Sequence, residues 1–230
     1  MSGGTAARND EDRDDVTTPR RRVWWPAVAG AVLALCLAVG AVLVYSSDEA
    51  GAAPGSSSVE AGFCRDMAVH HQQAVEMSFI VRDRTDDEDV RALAYDIANT
   101  QANQRGMMLG WLDMWGLRPS SGNAPMAWMA GEHDGAHAGY EPHDGSLMPG
   151  MATNTELDRL RAAKGRAAEV LYLQLMIKHH QGGVSMAQGA VDLSDNKQID
   201  RLAGTMVNGQ KTEIDLMNGM LRERGSDPVT

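Results

Sequence analysis

The chain repeats itself. Residues 63–116 align without a gap with residues 172–225, in one fixed register that carries His70 onto His179. FCRDMAVHHQQAVEMS answers YLQLMIKHHQGGVSMA, and LAYDIANTQANQRGMMLGWL answers LAGTMVNGQKTEIDLMNGML, with about 16 identities over the 54 positions. A duplication of this kind constrains the fold before anything else does. Each copy is one supersecondary unit that cannot bury its own apolar face, so the two copies must cover each other.

Each copy reads as two helices joined by a tight turn. A capping residue followed three positions later by Glu or Gln marks a helix start. Such pairs stand at Ser57/Glu60, Thr85/Glu88, Thr153/Glu156 and Asp195/Gln198. Four starts predict four helices, at about 58–83, 86–115, 154–192 and 195–224. Gly116 and Gly225 fall at equivalent places just past helix ends, where a left-handed cap is expected. Short turns force antiparallel hairpins. The expected fold is therefore all-α: a four-helix bundle made of two duplicated hairpins. The connection 117–153 is long and rich in Gly, Pro, His and Met, and loops of that length are usually functional or disordered.

The N-terminal part sets location. Residues 1–22 are polar and read as a disordered cytoplasmic tail. Arg20, Arg21 and Arg22 then precede an uncharged run from Val23 to Tyr45. That run is long enough to span a bilayer, with the arginines on the cytoplasmic side and Trp24, Trp25 and Tyr45 at the interfaces. The expectation is one transmembrane helix at 23–45, a linker at 46–57, and an extracytoplasmic domain at 58–225. The alternative is a signal peptide cleaved near Ala50-Gly51-Ala52, which would leave a secreted protein. The formal net charge of −10 and 5% aromatic content exclude a basic face for nucleic acid.

The chemistry sits in the first helix of each copy, in the pattern M-x-x-H-H. Met67, His70 and His71 carry it in copy one, and Met176, His179 and His180 in copy two. Residues three and four apart share a helical face, so each set can border one groove. Counting across the turns places Asn99 and Gln101 opposite the first His pair, and Asn208 and Gln210 opposite the second. Imidazole suits Cu, Zn, Fe and Ni, whereas thioether selects soft ions. A His/Met set without carboxylates points to copper, or to silver as a mimic. The four amides would orient the imidazoles from behind. The competing reading makes these His buried core residues hydrogen-bonded to Gln101 and Gln210.

A second candidate is the connection itself, with Met126, Met129, His133, His137, His143, Met148 and Met151. A flexible Met/His-rich segment can wrap a soft metal; the alternative is a solvated linker. Met107, Met108, Met114, Met217, Met220, Trp111 and Trp115 read as packing residues, and Cys64 as a small buried one. No arrangement of nucleophile, base and orienting group is visible, which argues against a hydrolase.

The doubled M-x-x-H-H motif, the Gln in the second helix of each hairpin and the segment Met148-Pro149-Gly150-Met151 together resemble the bacterial DUF305 family over residues 58–225. The resemblance implies a ferritin-like four-helix fold, an exported location, and His70, His71, His179 and His180 as signature residues. It also implies a link to copper, because CopM-type members are associated with copper binding and resistance. A carboxylate di-iron centre is disfavoured. Met67 and Met176 stand where such a site needs Glu, and Glu76 and Glu213 have no acidic counterparts, since Ser185 and Gln104 occupy the equivalent positions of the other copy. The functional expectation is an extracytoplasmic copper-binding protein. A redox metalloenzyme and a metal-free structural or sensory envelope module are the alternatives.

Overall fold

The duplicated sequence folds as duplicated hairpins. The computed structural model describes residues 53–130 and 140–229. The expected membrane segment at 23–45 lies outside them, and among the described residues no helix is long and apolar enough to cross a membrane. The described residues hold five α-helices and no strand beyond one isolated bridge between His143 and Ser146. These are α1 (Val59–Arg82), α2 (Glu88–Met114), α3 (Asn154–Ala162), α4 (Arg166–Leu193) and α5 (Lys197–Glu223), with a short 3-10 turn at Ala127–Met129. α1 pairs with α2 and α4 with α5, and the two hairpins meet mainly through α1 and α4. The helices that carry the His pairs therefore form the centre.

The helix ends show how local chemistry is shared between hairpins. At Thr153 the full capping box forms, with the side chain of Glu156 returning to the Thr153 amide. The other three starts are shifted. The actual N-caps are Ser58, Asp87 and Asn196, in place of Ser57, Thr85 and Asp195. The displacement at the two turns has a reason. Thr85 and Ser194 use their hydroxyls to accept from Asp87 N and Asn196 N, each at 3.0 Å. Each also donates across the molecule, Thr85 to Glu169 at 2.7 Å and Ser194 to Glu60 at 2.8 Å. Glu60 and Glu169 are related by the same offset as the two copies, so these are equivalent clasps. At the opposite ends, Gly116 and Gly225 adopt φ values of 68° and 67°. Leu117 N reaches back to Leu112 O, and Ser226 N to Leu221 O, closing two Schellman motifs.

The predicted helix 154–192 is broken. α3 ends at Ala162, Ala163 is extended, and Gly165 takes φ 52° and ψ −137°. This conformation is disfavoured for a residue with a side chain. The break turns the chain so that the Gly165 amide donates to Arg84 O at 2.7 Å, and α4 then starts beside the α1–α2 turn. Tertiary contact with that turn thus overrides an otherwise continuous helical pattern.

The core comes in two parts. One contains Ala74, Met77 and Val81 of α1 with Tyr172, Leu173, Met176 and Ile177 of α4. The other contains Ala61, Phe63, Cys64, Met67 and Ala68 with Met186, Ala187 and Ala190. In sequence, His70/His71 and His179/His180 fall between the two parts on both helices, so a polar layer divides the apolar interior at its waist. Met108, Met217 and Met220 are buried as expected, whereas Met107 and Met114 are 47% and 80% exposed. They sit on the outer face of α2, so their packing assignment fails. Cys64 is buried, and burial pushes its thiol up to about 12, which leaves it a protonated apolar filler.

Candidate metal centre

All four signature histidines are fully buried. Their arrangement follows the pseudo-twofold relation between the copies. The equivalent residues His70 and His179 lie against each other, with ring centroids 3.8 Å apart and planes at 33°. His179 Nε2–H donates to the His70 carbonyl at 3.0 Å. His71 Nε2–H donates to Gln104 Oε1 at 2.8 Å, and His180 Nε2–H donates to Glu213 Oε2 at 2.6 Å. Gln104 and Glu213 are themselves equivalent positions of the two copies, so each hairpin orients its second imidazole from the same place.

These bonds fix the tautomers. An imidazole that donates through Nε2 keeps an unprotonated lone pair on Nδ1 in its neutral form. The Nδ1 atoms of His71, His179 and His180 have no hydrogen-bond partner, and neither ring nitrogen of His70 has one. The Pro149 carbonyl lies close enough to favour a charged His70 slightly, although it meets neither nitrogen with hydrogen-bond geometry. Burial, chiefly, pushes His70 down to about 3 and His71 to about 4, and holds His179 well below the usual histidine range. These three rings are thus neutral at physiological pH, the state in which imidazole binds a metal.

The amides expected behind the His pairs divide into two kinds. Gln101 and Gln210 are buried, yet both polar atoms of Gln101 and Oε1 of Gln210 lack partners. Gly183 leaves the space that the Gln210 amide occupies. Asn99 and Asn208 are exposed and take no part. The residues that do orient the imidazoles, Gln104 and Glu213, lie further along the second helices than the counting placed them. Side chains on a helix lean toward its N-terminus. His71 leans away from the turn and its partner leans toward it, so the two meet only when the partner's Cα is displaced outward. The equal spacing in the two copies, His71 to Gln104 and His180 to Glu213, was the available signal.

Met67 and Met176 are both fully buried but belong to different halves of the core, so they flank the His layer on opposite sides. Met148 from the connection is also buried and joins the half that holds Met67. Met151 and Met126 are half-buried, and His143 is exposed, its Nδ1–H donating to Glu141 O at 2.9 Å. Met129 packs against Gly189. His133 and His137 lie outside the described residues. The stretch 140–153 is therefore a built part of the domain rather than a free wrapping segment. Among the described residues, no three His, Cys, Asp or Glu side chains converge as a preformed metal cage. What the site offers is three neutral imidazoles, unsatisfied lone pairs and adjoining thioethers, a donor set that fits a soft ion of low coordination number.

The DUF305 family model, described as a domain of unknown function, matches residues 60–221. The chain belongs to the DUF305 family. A DUF305 protein of Streptomyces coelicolor, solved by crystallography, is 54% identical, with 76% of this chain and 99% of that chain covered and a TM-score of 0.68. A DUF305 fragment from Deinococcus radiodurans is 32% identical, with 72% and 96% covered and a TM-score of 0.58. CopM in its Cu(I)-bound form is 22% identical, with 72% and 96% covered and a TM-score of 0.54, a likeness that concerns the fold alone. No curated protein matches the chain.

Proposed function

We propose that this DUF305 domain binds copper outside the cytoplasm, for tolerance or delivery, through His70, His71, His179 and His180, with Met67 and Met176 as adjoining thioethers. One observation carries the reading: the buried, neutral imidazoles of His71 and His179 are oriented through Nε2, and each leaves an Nδ1 lone pair with no donor to meet it. A buried polar atom without a partner costs about 1–3 kcal/mol, and four histidines concentrate that cost in one layer. A bound cation would satisfy the lone pairs and supply a soft acceptor for thioether sulfur. Gln104 and Glu213 would hold the rings in the ligating orientation, as outer-shell acceptors do in metal sites. Support also comes from the fold, which is shared with CopM, a protein solved in Cu(I)-, Cu(II)- and Ag-bound forms. The location rests on Arg20–Arg22 ahead of the apolar run 23–45, proposed as a membrane anchor. The Streptomyces coelicolor relative, whose name proposes that it is secreted, supports an exported domain.

A second reading has its own observation. His179 is bonded to the His70 backbone, and no preformed three-ligand cage exists among the described residues. On that reading the layer serves to set the register of the two hairpins, without metal. Metal analysis of the purified protein, followed by competitive Cu(I) titration, separates the two. Replacing all four histidines by Ala should abolish the tight site in a variant shown by circular dichroism to be folded. A folded quadruple variant with wild-type copper affinity would establish the register role instead.

A further inference from the structure

The signature imidazoles are sealed, so whatever reaches them must pass a part that moves. The surroundings single out one such part. Between Asp144 and Asn154 the chain leaves the bundle and returns to nearly the same point. The Asn154 amide donates to the Asp144 carbonyl at 2.7 Å, and the Thr155 amide to the Asp144 carboxylate at 3.1 Å. Within the loop, His143 and Ser146 exchange backbone bonds of 3.1 and 2.8 Å, and the Ser146 hydroxyl donates to Met151 O at 2.8 Å. The Tyr140 hydroxyl donates to Ser146 Oγ. This is a compact Ω-type loop with closed ends and its own hydrogen bonds. Such a loop can lift as a body without unravelling.

Its attachment to the bundle combines buried apolar side chains, Met148 in one half of the core and Ala152 in the other, with two local contacts. On one side, Gln73 Nε2 donates to Ala152 O at 2.8 Å, and the Ala152 amide donates to Gln73 Oε1 at 2.7 Å. On the other side, Pro149 and Gly150 rest on Gly182 of α4, where a Cβ would overlap the Pro149 carbonyl. Gln73 and Gly182 are equivalent positions in the two copies, so both attachments come from the turn of helix just after each His pair. Met148 is inserted between the helices. Outside the loop lies a pocket of about 510 Å³, with His143, Met151, Glu156 and Gln181 among its walls. Pro149 lines this pocket and its carbonyl also lies beside His70, so the loop stands between an open pocket that carries donor atoms and the sealed layer.

We infer that residues 144–154 form a strap that opens and closes over the histidine layer, with Gln73 as its latch and Gly182 as its seat. What passes beneath it rests on the metal reading; the motion itself does not. The full-length protein in detergent provides the test, with Gln73→Ala and Gly182→Ala as variants. The added methyl of Gly182→Ala collides with the Pro149 carbonyl while favouring helix in α4, so the strain falls on the loop, and circular dichroism checks that the helices are kept. Diethyl pyrocarbonate, which acylates unprotonated imidazole nitrogen, reports access by mass spectrometry without any metal. Labelling of His70 and His179 should speed up roughly tenfold in both variants, while each still unfolds cooperatively at a melting temperature lowered by no more than a few degrees, as loosened local opening predicts. Ag(I) association and dissociation should accelerate together. Folded variants that label at the wild-type rate would overturn the strap. So would labelling that runs, in every protein, at the rate of global unfolding read from core amide exchange. Faster labelling in a protein that binds no Ag(I) would uphold the strap and remove the metal reading.

Discussion

The two hairpins are copies, yet they differ where they meet the rest of the chain. Hairpin one orients its second imidazole with an amide, Gln104, and hairpin two with a carboxylate, Glu213. After its His pair, hairpin one has Gln73, which grips the connection, and hairpin two has Gly182, which makes room for it. At the turns, the Ser194–Glu60 clasp is a single hydrogen bond. The Thr85–Glu169 clasp is enlarged by Arg224, which reaches Glu169 and Asp87 at 2.8 Å each. Position 115, equivalent to Arg224, is Trp. The His pairs, the hydroxyl–acid clasps and the Schellman glycines are thus held in common. Divergence lies in the groups that support the imidazoles, in the ion pairs added at one clasp, and where one connection crosses a symmetric core.

The largest expected effect concerns what the halves share. His70, His71 and His179 are depressed in the folded state and have an ordinary pKa near 6.5 when unfolded. The unfolded chain therefore takes up protons first as pH falls. Stability is full above about pH 6.5 and drops below it, by roughly 1 kcal/mol per pH unit for each residue, until the folded pKa is reached, about 3 for His70 and about 4 for His71. Denaturant midpoints of the metal-free protein at pH 7.5, 6 and 5 should fall steeply. A flat profile would show that the rings are not held neutral in the fold.

The next effect separates the halves. Arg224→Ala leaves Glu169 buried without its charge partner and should cost about 3 kcal/mol. Ser194→Ala, at the simpler clasp, should cost about 1 kcal/mol. Equal losses by urea unfolding would mean that the larger network adds nothing. A smaller effect sharpens the contrast at the waist. Glu213→Gln makes the two imidazole supports alike, and loss of an outer-shell carboxylate should weaken copper binding about tenfold. Gln104→Glu should strengthen it, and the opposite order in competitive titration would show that these groups do not tune a metal site.

Much of this architecture was legible in the sequence because the duplication carried it. The fixed register of the two copies gave the hairpins, the Schellman glycines and the facing His pairs. Two kinds of feature were hidden. Asn99 and Asn208 came from counting Cα heights, and the lean of helical side chains moved the real partners to Gln104 and Glu213. The break at 163–165 and the ordered loop 140–153 depend on contacts with distant residues, Arg84 in one case and Gln73 and Gly182 in the other. No local pattern encodes such contacts. Gly165 inside a helical stretch and a glycine opposite Gln73 were the only traces.

The crossed clasps have a consequence for ancestry. Glu60 and Thr85 lie at opposite ends of α1, about 37 Å apart at helical rise, so one hairpin cannot satisfy its own acid with its own hydroxyl. A lone hairpin finds both partners only in a second copy, as a twofold homodimer whose single patch binds itself. In such a dimer every substitution is made twice, and a glycine admitting a loop on one face would be admitted on both. Fusion into one chain removes that constraint. It lets one half keep the grip of Gln73 while the other gives way at Gly182.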